Sequence, residues 1–229
     1  ARLTINYNII GRSDDEIQDQ YKADASKLSV EELLYAATLT ENVAEQKDIY
    51  QTTVKQYPND YRAYNNLATL AYKQGDLAAA KKYLAQVPAE GANAAEVNAN
   101  KALIALAEGK AEEAHNYLMK ATTAGNYNEV LGNLQVAAGN YAQGATALKG
   151  VNTNAAALAQ IMNKDYASAT NTLKNVPNAN GLTSYLKAVV AARTNQENAV
   201  IANLKEAFAK DANLKKRAAT DLEFATLFN

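Results

Sequence analysis

The chain has 229 residues, room for one large domain or two small ones. It is 48% hydrophobic but only 7% aromatic, with 3 prolines and 10 glycines, which favours an all-helical protein. The 23 basic and 24 acidic residues leave a net charge of −1, no electrostatic footprint for nucleic acid or an anionic membrane. The absence of cysteine excludes disulfides and thiolate metal sites, and no apolar run reaches the ~18 residues of a membrane-spanning helix.

In chain order, Leu3, Ile5, Tyr7 and Ile9 alternate with Arg2, Thr4, Asn6 and Asn8, the period of a half-buried strand. No other segment reads as a strand. Residues 1–12 are therefore expected to be an extended strand or linker from an upstream region, or an edge through which copies self-associate. With no initiating methionine and no signal peptide, a processed chain or an excised fragment is expected.

Helices follow. Ser13-Asp14-Asp15-Glu16 and Ser29-Val30-Glu31-Glu32 are N-terminal capping signals, the second flanked by Leu28 and Leu33 as a hydrophobic staple. A further helix is predicted from about Val43 to Gln56, ended by Pro58. From Tyr61 the stretch "YRAYNNLATLAYKQGDLAAAKKYLAQVP" places Tyr64, Leu67, Ala68 and Ala71 at helical spacing. It breaks at Gly75-Asp76 and restarts with Ala80 and Leu84. Two amphipathic helices joined by so short a turn form an antiparallel hairpin. The phrase returns in "NKALIALAEGKAEEAHNYLMKA", "EVLGNLQVAAGNYAQGATALKGV", "AAALAQIMNKDYASATNTLKNVP" and "SYLKAVVAARTNQENAVIANLKEAF". Ala80, Ala114, Gly144, Ala169 and Val200 share one position, at steps of 34, 30, 25 and 31 residues. The pair before Tyr61 is a degenerate first repeat.

This pattern of bulky, small and turn residues resembles the tetratricopeptide repeat family, with its unit of about 34 residues. The resemblance implies an all-α, right-handed superhelix of five to six antiparallel helix pairs over residues 13–211. Residues 212–229 are expected to form a capping helix and tail, because a solenoid exposes an apolar face at each end.

Little in the sequence suggests chemistry. His115 is the single histidine, too few for zinc. Paired acids such as Glu112-Glu113 sit in first helical turns, where the dipole favours them. The glycines do not form a phosphate loop. No catalytic residue, metal or cofactor is expected, and the protein is read as a non-enzyme.

The resemblance does imply binding of a protein or peptide partner, because first helices of successive pairs line a concave face in this family. By position that face takes Arg62, Asn65, Asn66, Thr69, Tyr72 and Lys73 from the best repeat. Glu96, Asn100, Leu103 and Leu106 follow, then Asn126, Glu129, Asn133 and Val136. Asparagine amides suit an extended partner backbone because they both donate and accept. Lys73 and Arg62 are too few for the family's carboxylate clamp. The alternative is a structural spacer with no groove ligand. Finally, "INYNIIGRSDDEI" followed by "LSVEELLYAATL" resembles the junction before such repeats in bacterial cell-envelope proteins near an outer-membrane-protein-A-like module, which implies the periplasm or outer membrane.

Overall fold

Caps decide where the helices begin. In the computed structural model, which describes residues 11–227, the side chain of Ser13 accepts from the Glu16 amide while Glu16 reaches back to the Ser13 N–H. Ser29 and Glu32 repeat the arrangement. Each box satisfies two backbone donors that the first turn leaves unpaired. The strand expected over residues 1–12 lies outside the described residues except for Gly11 and Arg12, which precede the first helix as coil.

The described residues are helices and turns, and they divide into two compact units, one up to Asn100 and one from Lys101. The first unit holds α1 (Asp14–Asp24), α2 (Val30–Ala36), α3 (Val43–Gln56), α4 (Tyr61–Lys73) and α5 (Leu77–Ala85), and α6 (Ala95–Ala107) begins in it. A 3₁₀ turn, Ala37–Leu39, extends α2. Leu28 and Leu33 are buried together with Ile17, Ile49 and Leu67, so the predicted staple is part of the core under α1–α4. Before α6, Gly91 lies so close to the first turn of α4 that an added Cβ would sit 2.2 Å from Tyr61 Cβ. Only glycine fits there.

The second unit holds α7 (Ala111–Leu118), α8 (Tyr127–Ala137), α9 (Tyr141–Ala147), α10 (Asn154–Met162) and α11 (Tyr166–Lys174). It is completed by α12 (Gly181–Arg193), α13 (Glu197–Lys210) and α14 (Asn213–Ala218). The small positions Ala80, Ala114, Gly144, Ala169 and Val200 are all buried, and so are the larger partners Leu84, Leu118, Leu148, Leu173 and Leu204. At the α8–α9 crossing, a Cβ on Gly132 would meet Leu148 Cγ at 2.4 Å. The helices approach to the distance that the small residue sets.

One turn recurs five times. Gly75, Gly109, Gly139, Lys164 and Asn195 each stand two residues before the second helix of a pair, all with positive φ. In each case the next residue's N–H returns to a carbonyl five residues back, as from Asp76 to Ala71 and from Gln196 to Ala191. This is a Schellman closure, which needs a left-handed residue and so favours glycine. Lys164 and Asn195 meet the same geometry without it.

At the far end, Phe224 in a 3₁₀ segment, Leu222–Leu227, is fully buried with its ring edge-on to Tyr185, centroids 5.5 Å apart. The Tyr185 hydroxyl donates to Asp221 at 2.5 Å, and Arg193 pairs with Glu223. The tail thus folds back on α12; Phe228 lies outside the described residues.

Candidate functional site

Each candidate residue has a definite place on the first helices of the pairs. In the first turn of α4, Arg62 donates to Asp60 at 2.6 Å and to Glu31 at 2.9 Å. The guanidinium holds the Asp60 carboxyl below its ordinary pKa, and the two carboxylates hold Arg62 protonated more firmly than usual. One turn on, Asn65 is 7% exposed and Asn100, on α6, is 5% exposed. Asn100 Nδ2 donates to Asn65 Oδ1 at 2.8 Å and to Thr69 Oγ1 at 2.9 Å, and Thr69 donates on to the Asn65 carbonyl at 3.1 Å.

This corrects the expectation that Asn65 and Asn100 present their amides to a partner. Low exposure makes an unpaired amide costly, so the two asparagines satisfy each other and fasten α4 to the start of α6. A partial signal was present in the sequence, because the residues are 35 apart, within one residue of the 34-residue step, and so fall near each other on successive first helices.

The other candidates divide. Asn66 is half-buried and hydrogen-bonded to Tyr50, whose phenol burial pushes above its ordinary pKa while Asn66 opposes the shift. Tyr72 is half-buried and engaged within the protein, and Lys73 is exposed in the last turn of α4. In the second unit Leu103 is buried, as core rather than surface, and the half-buried Asn133 donates back to the Glu129 carbonyl at 2.8 Å. Of the residues the family pattern points to, the structure brings together Asn65, Thr69 and Asn100, and leaves Asn66 and Tyr72 half-buried and Lys73 exposed on α4.

A separate cleft of about 530 Å³ lies in the first unit, lined by residues of α1, the end of α2 and α3. Sequence reading missed it, because its walls come from the degenerate first pair, where the repeat pattern gives no register. Among the described residues no group of three or more His, Asp or Glu side chains is placed to hold a metal ion. His115 is exposed, and no described helix is long and apolar enough to cross a membrane.

Helix pairs closed by a repeated turn and meeting at a small residue define a helical-repeat protein. The tetratricopeptide repeat family model matches residues 43–104, which span α3 to α6. A tetratricopeptide repeat protein from Parabacteroides merdae is similar in structure, with a TM-score of 0.53 over 86% of this chain and 85% of that one at 12% identity. PilF of Pseudomonas aeruginosa aligns over 93% of this chain and 97% of its own at 17% identity, with a TM-score of 0.46. No curated protein matches the chain. Residues 43–104 match the tetratricopeptide repeat family model, and the fold over most of the chain is similar to that of a tetratricopeptide repeat protein.

Proposed function

We propose that the chain is a non-catalytic interaction module that holds a segment of another polypeptide along the partly exposed side of α4. The observation that carries this reading is the arrangement of Asn66, Tyr72 and Lys73. They place a half-buried amide, a half-buried aromatic ring and an exposed cation on one helix, beside a hydrogen-bonded polar network. Hydrogen bonds that hold the neighbouring side chains in place lower the ordering cost of binding. The test is selection of peptides from a randomised display library against the whole chain, followed by titration of the Asn66→Ala/Tyr72→Ala variant. Affinity for a selected peptide falls about tenfold or more while helicity and melting are retained; unchanged affinity removes the site from α4.

One observation favours a second reading, a structural spacer without a ligand: Asn65 and Asn100, two polar groups of the expected face, are spent on each other. That reading requires that no displayed peptide bind saturably. The setting we propose is the bacterial cell envelope, at the periplasm or outer membrane, on the resemblance of the opening stretch. Fractionation of cells expressing the complete reading frame tests it, and recovery from the cytoplasm alone contradicts it.

A further inference from the structure

The cleft beside α1 has an apolar floor and a charged rim. Ala36, Leu39 and Ile49 line its floor, while Lys22, Glu45 and Asp48 line it with charge. Glu45 and Asp48 stand three residues apart on α3 and so share a face. Each is held by a hydroxyl: Thr40 donates to Glu45 at 2.6 Å, and Tyr21 donates to Asp48 at 2.5 Å. Among the described residues neither carboxylate is in an ion pair. The surrounding sequence has the same bias. Residues 12–48 carry ten acids and four bases, a net −6 in a chain whose total is −1.

We propose that this cleft receives a basic segment of another polypeptide, inserting a lysine or arginine whose aliphatic stem lies over Leu39 and Ile49 and whose charge meets Glu45 and Asp48. Such side chains bury a hydrocarbon stem while keeping a cationic head at a polar rim, which matches a floor of this kind. The two hydroxyl bonds fix the carboxylates in advance, and Lys22 repels acidic segments from the same opening. This surface is distinct from the side of α4, so the two readings stand or fall separately.

The experiment uses the full chain and two labelled peptides, Ser-Leu-Lys-Leu-Lys-Leu-Ser and its counterpart with glutamate for lysine. The lysine peptide binds saturably and shifts the methyl signals of Leu39 and Ile49, and the glutamate peptide binds at least about tenfold more weakly. Glu45→Gln/Asp48→Asn keeps the acceptors for Thr40 and Tyr21, preserves the circular dichroism spectrum and weakens the lysine peptide about tenfold. Asn66→Ala/Tyr72→Ala leaves that binding unchanged. Equal affinity for both peptides, no effect of neutralising Glu45 and Asp48, or shifts away from Ile49 overturns the proposal. So does sedimentation showing that a second copy fills the cleft with Lys215, Lys216 and Arg217.

Discussion

Asn65 and Asn100 show how a residue expected at a binding face becomes part of the frame. With exposures of 7% and 5%, the Asn65 side-chain oxygen accepts from Asn100, whose amide also donates to Thr69. Asn100→Ala strands the Asn65 acceptor and is expected to cost about 1–3 kcal/mol in urea denaturation, the range for a buried polar group left unpaired. In a cycle with Asn65→Ala, the double variant loses less than the sum of the singles, and strict additivity contradicts the pairing. Tyr21 offers a second residue-level prediction. Burial, and then its bond to Asp48, pushes its pKa from 10.0 up to about 12. The folded chain keeps a proton that the unfolded chain releases, so this contribution is complete below pH 10 and is lost as pH rises toward about 12. Tyr185 shifts in the same direction, through burial and Asp221. Tyr21→Phe is expected to flatten part of the alkaline decline in a pH series of urea melts; an unchanged slope contradicts it.

Among the elements, the paired helix is specified locally and repeatedly. Small positions, leucine partners and capping boxes were all legible, because each is a short-range pattern with one physical solution. The left-handed turn was legible only where glycine marks it. At Lys164, with φ of 61°, and Asn195, with φ of 57°, the flanking helices impose the conformation that glycine adopts freely elsewhere. Lys164→Gly is therefore expected to raise stability by roughly 0.5–1 kcal/mol, less than the full left-handed penalty because glycine also frees the unfolded chain. Thermal melting checks this, and a loss of stability contradicts it. What the sequence hid was which polar residues meet across helices, and a cleft whose walls come from the pair with the weakest repeat register. Neither follows from periodicity, because both depend on three-dimensional neighbours.

At the scale of the whole molecule, each helix pair needs a neighbour to bury its apolar face and leaves another side open. In the second unit the apolar end is closed by Phe224 against Tyr185. Amide hydrogen exchange of the full chain, free and saturated with a peptide selected on it, tests whether α4 carries a polypeptide-binding face. Protection concentrated in α4 and the first turns of α6 is the predicted result. Protection confined to the second helices of the pairs, or none at saturation, contradicts a polypeptide-binding face on α4.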